Sequence, residues 1–507
     1  MHPTLTSPGQ RMTTPGWITG LIDGARLEVL PGGFDVPLID PATEAVICQL
    51  RESDAAEVDL AVKAARAAFD SGPWPRLDID ARKVILYAIH DILVAHAEEL
   101  TELEVAHTGL PISGIRPLIS RAAKNFEVFA EVASTLAGET FTQNQNYLTY
   151  VTRQAKGVAA LIAPWNAPLA LASMRVATCI AFGNTCVLKP SEYTPLSMLR
   201  MVELFHQAGL PNGVVNLVNG RGGVTGVSLV SHPGIDMVGF TGGSATGRAI
   251  MAAAGAHLKP CILELGGKSA SIVFADADIE QALDGTLFGI YFNNGQQCLA
   301  GSRILVHRSI AESFMARFTA RAKAMKIGPP MAEDTEIGPL AYKAHLDRVL
   351  SFVDVAVEDG AELLCGGKRA EGLDKGWYME PTAVLAKDNR ARVCQEEIFG
   401  PFATFLVFDT LDEAIHIAND SSFGLVAYVW SEDLHSVMRC SREINAGTVW
   451  VNTPMMRELR APFGGFKESG VGRDGAAASA DFFTETKTTT IPIHKVRMPR
   501  LGARPPA

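Results

Sequence analysis

Long uninterrupted hydrophobic segments are missing from this sequence of 507 residues. A helix that spans a bilayer takes about 20 consecutive apolar residues. The nearest approach, residues 160–174, is interrupted by Asn166 and two prolines. Residues 1–17 also lack the basic and then apolar order of a signal peptide and read as a flexible tail. We therefore expect no membrane partner and a cytoplasmic location.

Paired cysteines and a positive net charge are absent as well. The eight cysteines are scattered without CxxC spacing, which argues against both a zinc site and a disulfide framework. The net charge of −10 and the pI near 5.7 argue against a protein built to hold nucleic acid. The sequence thus predicts no metal and no nucleic-acid partner. Its 47% apolar and 20% charged residues are typical of a globular protein, and its length predicts two or three domains.

Strand-like and helical patterns alternate along most of the chain. Apolar spacing predicts helices over 54–69 and 81–106. From about residue 157, short apolar runs alternate with helical stretches, and a second alternation begins near 270. Such alternation predicts parallel sheets with helices on their faces, hence two α/β domains with a border near 260–270. The predicted helices of the two series cover 169–182, 196–208, 245–254, 279–293, 309–324, 411–419 and 433–442.

Turn-rich loops follow the predicted strands of the first series. Open α/β sheets bind ligands beyond the carboxyl ends of their strands, so these loops are candidate ligand contacts. The last one opens a helix with glycines and Ser244, a plausible seat for a pyrophosphate. The common dinucleotide fingerprint GxGxxG is absent, and each loop alone is an ordinary turn. The loops are "APWNAP" (163–168), "KPSE" (189–192), "NGRGG" (219–223) and "FTGGSATG" (240–247).

Two side chains have settings that suggest chemistry. Cys298 stands in "NNGQQCLAG" (293–301), among amides and glycines rather than apolar residues. Because a structural cysteine usually behaves as a small buried hydrophobe, this setting predicts a reachable, reactive thiol. Glu264 in "LELGGKSA" (263–270) ends an apolar stretch. A carboxylate there is either a buried structural acceptor or a base tuned by partial desolvation.

Seven motifs, in this order and spacing, resemble the NAD(P)-dependent aldehyde dehydrogenase superfamily: "PWNAP", "KPSE", "FTGGSATG", "LELGGKSA", "GQQC", "EEIFGP" and "PFGGFKESGVGR". The resemblance runs from about residue 18 to 494. It implies an α/β fold with two doubly wound parallel-sheet domains and a small β oligomerisation arm. The implied segments are a Rossmann-like NAD-binding domain (18–139 and 156–263), a catalytic domain (264–474), the arm (140–155 and 475–495) and two tails (1–17 and 496–507).

The resemblance also implies an active site. Cys298 would be the nucleophile, the Asn166 amide and the Cys298 backbone N–H would form the oxyanion hole, and Glu264 would activate the hydrolytic water. NAD would be the cofactor and NADP less favoured, because Glu192 would hold the adenosine ribose hydroxyls and repel a 2′-phosphate. Many members read "FTGS" where this chain reads "FTGG", which moves the serine to Ser244. The implied cofactor-binding residues are Trp165, Lys189, Glu192, Gly222, Gly242, Ser244, Glu397 and Phe399.

Three questions stay open at this point. The first is the reaction itself. An acylating dehydrogenase, which passes the acyl group to coenzyme A, typically lacks the base, so the presence of Glu264 argues against it. A catalytically silent binding protein on the same fold would be expected to lack Cys298, Asn166 or Glu264, and all three are present. The substrate is the second question. Arg457, near "PFGG", and Arg121, on a predicted helix, resemble the branch that handles hydroxymuconic and aminomuconic semialdehydes, although both could form structural salt bridges. Small aliphatic or hydroxylated aldehydes remain alternatives. The third is assembly: the β-prone stretches 146–154 and 487–494 suggest a homodimer or homotetramer.

Overall fold

The computed structural model describes residues 16–28 and 35–502. Most of the predicted N-terminal tail therefore lies outside the described residues, as do the last five residues of the predicted C-terminal tail. Within these ranges, no helix combines the length and the apolar character needed to cross a membrane.

The strands are short, and we number them in chain order: β1 Trp17–Ile18, β2 Leu21–Ile22, β3 Ala25–Arg26, β4 Asp35–Ile39, β5 Val46–Arg51, β6 Glu139–Phe141, β7 Tyr147–Ala155, β8 Val158–Ile162, β9 Thr185–Lys189, β10 Val215–Leu217, β11 Met237–Thr241, β12 Cys261–Glu264, β13 Ala270–Val273, β14 Arg303–His307, β15 Glu362–Cys365, β16 Thr382–Leu385, β17 Phe402–Phe408, β18 Phe423–Gly424, β19 Val426–Trp430, β20 Thr448–Val451, β21 Phe466–Lys467, β22 Gly470–Val471 and β23 Thr484–Pro492.

The helices are numbered in the same way: α1 Ala55–Asp70, α2 Ile79–Ala95, α3 Ala97–Thr108, α4 Ile112–Ser134, α5 Pro168–Ala181, α6 Leu196–Gln207, α7 Val227–Ser231, α8 Ser244–Gly255, α9 Ile279–Tyr291, α10 Arg308–Ala324, α11 Lys343–Glu358, α12 Arg392–Gln395, α13 Leu411–Asn419, α14 Leu434–Glu443 and α15 Ala476–Phe483. Several begin at a side-chain cap, since Asp54, Asp78 and Asp278 each accept a hydrogen bond from a backbone N–H of the first turn.

The first sheet has eight strands in the order β22-β12-β11-β8-β9-β10-β2-β3. Its five central strands, from β12 to β10, are parallel, and antiparallel strands close both ends. The central strands are almost wholly buried because helices cover both faces. The chain runs outward from β8 in both directions, so the switch point lies between β8 and β11, where ligands bind in such sheets.

The second sheet has seven strands in the order β15-β16-β17-β14-β13-β19-β20, and all pairs except β15 with β16 are parallel. A small antiparallel sheet, β23-β7-β6, lies outside both large sheets. In it the two β-prone stretches pair with each other along nine residues, from Thr484 opposite Ala155 to Pro492 opposite Tyr147. The predicted α/β architecture of two doubly wound sheets plus a β arm is therefore what the chain adopts.

Most predicted helices agree with the observed bounds within two residues, but one does not. The predicted helix 81–106 is two helices, α2 and α3, which meet at His96. The His96 ring bonds to the Glu99 carboxylate of the following turn (2.6 Å), and no proline or glycine marks the break. In addition, residues 476–483 of the predicted arm form helix α15, and β22 joins the first sheet although it lies in the predicted catalytic segment.

Candidate active site

The candidate site is a cavity of about 240 Å³ between the two large sheets. Residues 265–269 connect β12 directly to β13, so the carboxyl end of the first sheet meets the amino end of the second. A larger cavity of about 720 Å³ lies at the base of the arm and contains none of the predicted site residues. The smaller cavity is lined by Pro164, Trp165, Asn166, Thr241, Gly242, Gly243, Glu264, Leu265, Gly266, Cys298, Tyr342, His345, Arg348, Glu397 and Phe399.

The segment before Cys298 has a backbone that its sequence makes possible. Asn293, Asn294 and Gly295 have φ angles of 59°, 55° and 68°. Asparagine and glycine tolerate this left-handed conformation better than other residues. A Cβ at Gly295 would lie 2.1 Å from the backbone oxygen of Gly400, so glycine is required for this close approach.

The amides around Cys298 have structural roles, which the sequence analysis did not foresee. Asn293 donates to the Asn166 carbonyl (2.7 Å), and Asn294 donates to the Pro339 carbonyl (2.9 Å). Both side chains are buried. The polar neighbourhood therefore does not face solvent; it fixes the loop that carries the thiol.

Cys298 itself is only partly buried and precedes β14. Burial raises the pKa of its thiol to about 12, with Glu397 and Glu264 acting in the same direction and Arg457 opposing them. The thiol is thus protonated at neutral pH. Arg457 favours the thiolate, and Arg121 interacts with the thiol in the same sense.

Asn166 lies in the loop between β8 and α5 and is 7% exposed. Its Nδ2 donates to the Gln296 carbonyl at 2.8 Å, two residues before Cys298. With the bond from Asn293, this contact ties the Asn166 loop to the loop of the thiol. An amide N–H is therefore held next to the nucleophile segment, as an oxyanion donor must be.

Glu264 ends β12, is 5% exposed, and neither of its oxygens has a hydrogen-bond partner among the described residues. Burial raises the pKa of its carboxyl to about 8, and the Asp474 carboxylate adds to the shift. Asp474 is itself fully buried and paired with Arg175 (Nη1 to Oδ1, 2.6 Å). A buried carboxyl with free oxygens and a pKa near physiological pH has the properties of a general base.

Glu397 and Phe399 lie on the opposite wall of the cavity. The Glu397 Oε1 accepts a hydrogen bond from the Gly267 N–H (2.8 Å), and burial raises the pKa of its carboxyl to about 7. Phe399 has a φ of 65°, an uncommon conformation for a bulky residue. Two residues of α11 hold this loop. His345 Nε2 donates to the Phe399 carbonyl (2.7 Å), and Arg348 donates to the carbonyls of Ile398 and Glu397.

An aromatic cluster joins the two domains at the edge of the cavity. Tyr342, from the catalytic segment, stacks on Tyr193 with ring centroids 4.1 Å apart and planes 7° apart. The Trp165 ring contacts Tyr342, His345 and Phe399 edge-on, with centroid distances of 5.2–5.5 Å. Sequence reasoning missed Tyr193, Tyr342, His345 and Arg348, and no motif signalled them.

Lys189 ends β9 and Glu192 follows it, and both lie outside the cavity lining. The Lys189 Nζ is 4.0 Å from a Glu192 oxygen and donates to the Pro190 carbonyl (2.9 Å). Lys189 is 2% exposed, whereas the Glu192 side chain is 22% exposed. Gly222 begins a short π-helical turn, Gly222–Gly226, whose last residue lies against the Lys189 stem. A Cβ at Gly222 would meet nothing within 4 Å, so the start of this turn faces open space.

The N-terminus of α8 opens next to the cavity. Gly242 lines the cavity, and Gly243 precedes the helix without any side-chain cap. The backbone N–H groups of the first turn are thus available to an anion such as a pyrophosphate. Ser244, the first helical residue, donates its hydroxyl to the Glu468 carbonyl (3.2 Å).

Arg121 on α4 and Arg457 are both partly buried near Cys298. Among the described residues neither forms an ion pair, and the Nε atom of each is buried without a hydrogen-bond partner. Burial lowers the pKa of Arg121 to about 9, the charge of Arg457 lowers it further, and Cys298 opposes both. Arg457 lies over the Phe463 ring, 4.0 Å from its centroid, and burial lowers its pKa against the attraction of Asp474 and Glu264.

The structure brings seven of the predicted catalytic and cofactor residues into one cavity: Asn166, Trp165, Gly242, Glu264, Cys298, Glu397 and Phe399. Lys189, Glu192, Gly222 and Ser244 lie on neighbouring loops that do not line it. Among the described residues, no group of three or more His, Cys, Asp or Glu side chains is arranged to hold a metal ion.

The fold and this arrangement of thiol, amide and carboxyl are those of an aldehyde-oxidising enzyme, and comparisons with known proteins agree. A sequence model of the aldehyde dehydrogenase family matches residues 32–489. An "Aldehyde dehydrogenase 1" of Tanacetum cinerariifolium is 42% identical over 464 residues, which cover 91% of this chain and 93% of that protein. A 5-carboxymethyl-2-hydroxymuconate semialdehyde dehydrogenase of Escherichia coli is 42% identical over 447 residues (87% and 94%).

A solved structure, the NAD+ complex of an aldehyde dehydrogenase from Bacillus cereus, superposes with a TM-score of 0.92 at 39% identity, covering 94% of this chain and 97% of that one. The chain therefore belongs to the aldehyde dehydrogenase family. The predicted family, fold class and enzyme class, an oxidoreductase acting on aldehyde groups, are confirmed.

Proposed function

We propose that this enzyme oxidises a semialdehyde that carries a distal carboxylate, such as a 2-hydroxymuconic-type semialdehyde, to the corresponding dicarboxylic acid. NAD is its cofactor, as in the Bacillus cereus structure. Two arginines without ion-pair partners beside Cys298 support the acidic substrate class. Similarity to the Escherichia coli semialdehyde dehydrogenase supports the same substrate class, whereas the equally similar plant protein is named only as an aldehyde dehydrogenase.

The residues around the cavity fit a dinucleotide. The uncapped start of α8 at Gly243 would receive the pyrophosphate, with Ser244 as a further contact. Glu192, with Lys189 beside it, would accept from the adenosine ribose hydroxyls. Glu397, whose second oxygen has no hydrogen bond among the described residues, would hold the nicotinamide ribose.

In the proposed mechanism, the Cys298 thiol loses its proton to solvent and the thiolate attacks the aldehyde carbon, while the Asn166 amide and the Cys298 N–H stabilise the developing oxyanion. NAD bound in this cavity would supply the hydride acceptor, and loss of the hydride from the reacting carbon would leave Cys298 carrying the acyl group as a thioester. Arg457 assists by favouring the thiolate, since it opposes the burial that raises the pKa of the thiol.

Hydrolysis of the thioester is the step assigned to Glu264. Its free oxygens can accept a proton from water, and with a pKa of about 8 the carboxyl becomes available as a strong base as the pH rises from neutral toward and above 8. Arg175 and Asp474 are positioned to tune it, since Asp474 raises the pKa of Glu264 and Arg175 lowers it. A base in this position favours hydrolysis over transfer to coenzyme A.

Arg121 and Arg457 would bind the distal carboxylate. A guanidinium removed from water and left without an anion is costly, and a substrate carboxylate would supply the missing charge-assisted hydrogen bonds. The alternative role for these arginines is a structural salt bridge. Arg460 has that role instead, since it is exposed and its Nη1 lies 2.8 Å from the Glu458 Oε1. Neither Arg121 nor Arg457 has such a partner among the described residues.

We also propose that the chain assembles into a homodimer or homotetramer through the arm. β23 is an edge strand of nine residues, paired on one side only with β7. An edge of this length has free backbone N–H and C=O groups that a second chain can pair with.

Steady-state kinetics on matched substrates test the substrate proposal. We expect kcat/KM for a 2-hydroxymuconic-type semialdehyde to exceed that for hexanal, which has the same number of carbons and no charge, by at least about 30-fold. Cys298→Ala, which should bind NAD but not turn over, controls for background oxidation. Equal or better use of hexanal would contradict the acidic substrate class while leaving aldehyde oxidation intact.

A further inference from the structure

A buried carboxylate on α3 connects the starts of two helices, α5 and α6. Glu104 has no exposed surface. Its Oε1 accepts from the Leu169 N–H (3.1 Å), in the first turn of α5, and its Oε2 accepts from the Ser197 hydroxyl, in the first turn of α6. Among the described residues, no lysine or arginine forms an ion pair with it; the nearest basic group is His107 (3.8 Å).

The Glu104 contact with the Leu169 N–H replaces a cap that α5 lacks, and a neighbouring residue of α3 does the same for α6. α5 begins at Ala167 and Pro168, and α6 follows Pro195, and neither has a side-chain cap of its own. The first turn of a helix has unpaired N–H groups and a partial positive charge, both of which a carboxylate stabilises. His107 completes the arrangement, because its Nδ1 accepts from the Leu196 N–H (3.3 Å). One turn of α3 thus caps two helices from outside.

The loops that precede these helices carry the proposed oxyanion donor and ribose contacts. Residues 163–167, with Asn166, connect β8 to α5, and residues 190–195, with Glu192, connect β9 to α6. β8 and β9 are neighbours in the sheet, which fixes the strand end of each loop. Glu104 fixes the helix end of both.

We propose that Glu104 is a positioning residue that holds the Asn166 loop and the Lys189–Glu192 loop in register with each other. The inference rests on the proposed roles of those loops and extends them. In this proposal, one buried side chain sets the distance between the Asn166 loop, at the site of covalent chemistry, and the Lys189–Glu192 loop, at the site of cofactor binding.

Glu104→Gln tests this coupling, because glutamine keeps the shape but can offer its oxygen to only one donor while its NH₂ opposes the other. We expect the dissociation constant for NAD, measured by tryptophan fluorescence, to rise about 5- to 30-fold. The rate of the first NADH burst at saturating NAD should fall by a similar factor of about 5 to 30. Both readouts should change, since both loops lose their common anchor.

Two further variants separate positioning from stability. Ser197→Ala removes the α6 contact alone, so NAD affinity should fall while the burst rate at saturating NAD stays unchanged. Glu99→Gln is the matched control. Glu99 is also buried on α3, but it bonds Arg200 within α6 (Oε1 to Nε, 2.8 Å) and His96, and not the first turn of α5 or α6. It should lower the melting temperature and leave both readouts within about twofold, since it anchors neither loop.

Several results would overturn the inference. A folded Glu104→Gln protein with normal NAD affinity and burst rate would do so, and so would equal defects in Glu99→Gln. If Glu104→Gln does not fold, Ser197→Ala decides, and unchanged NAD affinity in that variant refutes the coupling. A wild-type protein with neither NAD binding nor a burst would instead contradict the proposed function.

Discussion

Removing Arg121 should alter substrate choice more than catalysis. The perturbation is Arg121→Met, which keeps much of the side-chain volume and removes the guanidinium. Arg121 has no hydrogen-bonded carboxylate in the described residues, and its nearest charged influences are Arg457 and Cys298. Between the described residues, the substitution breaks no ion pair. Destabilisation by an orphaned partner charge is therefore not expected.

The magnitude follows from the contact that would be lost. A hydrogen bond between charged groups contributes about 1.5–3 kcal/mol, so loss of about 2–3 kcal/mol lowers kcat/KM for the carboxylated semialdehyde by roughly 30- to 150-fold. Hexanal makes no such contact. However, Cys298 and Arg121 act on each other electrostatically, so losing the guanidinium should also disfavour the thiolate and slow both substrates somewhat.

The ratio of kcat/KM for the two aldehydes removes this shared effect. We expect the ratio to fall by about 30-fold or more in Arg121→Met, and also in Arg457→Met, in which the common slowing should be larger. Arg460→Met is the matched control, since that arginine is exposed and already paired with Glu458. A ratio that stays at the wild-type value in both Arg121→Met and Arg457→Met would refute the substrate clamp.

Three other expectations follow from the site and the arm. Glu264→Gln should give a normal NADH burst followed by slow turnover. In the wild type, the rate of deacylation should rise with pH through the pKa of about 8 and level off above it, because the carboxyl must lose its proton to act; a rate independent of pH from 6 to 9 would contradict this. NAD should be preferred over NADP in kcat/KM, modestly because Lys189 lies 4.0 Å from Glu192, and a clear preference for NADP would overturn the ribose assignment. Light scattering should show an oligomer that truncation before β23 dissociates; a stable wild-type monomer at micromolar concentration would argue against assembly through the arm.

Local sequence patterns predicted much of the fold because they report on burial and on caps. The runs "VAALI" and "TCVLK" are continuous rather than alternating, as strands covered on both faces must be, and they form β8 and β9 in the middle of the first sheet. The break between α2 and α3 was not predicted because the prediction relied on such local patterns alone. Apolar spacing continues through His96, and the bond from its ring to Glu99 is not part of that pattern.

The site was predictable where it lies in a motif and unpredictable where it depends on distant segments. Cys298, Asn166 and Glu264 each stand in a recognisable stretch, yet the Asn293 and Asn294 amides that first suggested a reachable thiol hold backbone carbonyls instead. His345 and Arg348 fix the Phe399 loop from a helix that begins more than fifty residues earlier. Spacing along the chain does not encode such contacts, because packing between the elements creates them.

The pairing of charged side chains around the site is also not visible in the sequence, yet it bears on the choice of substrate. The sequence does not distinguish the four arginines near the site, but their surroundings in the structure do. Arg175 is paired with Asp474, and Arg460 is exposed and paired with Glu458. Arg121 and Arg457 have no such partner in the part of the chain that the structure describes, and Glu264, with a pKa of about 8, is largely uncharged at neutral pH. Near Cys298, Arg121 and Arg457 thus carry positive charge that no paired carboxylate among the described residues neutralises. A substrate that brings its own carboxylate would neutralise it, and a neutral aldehyde would not.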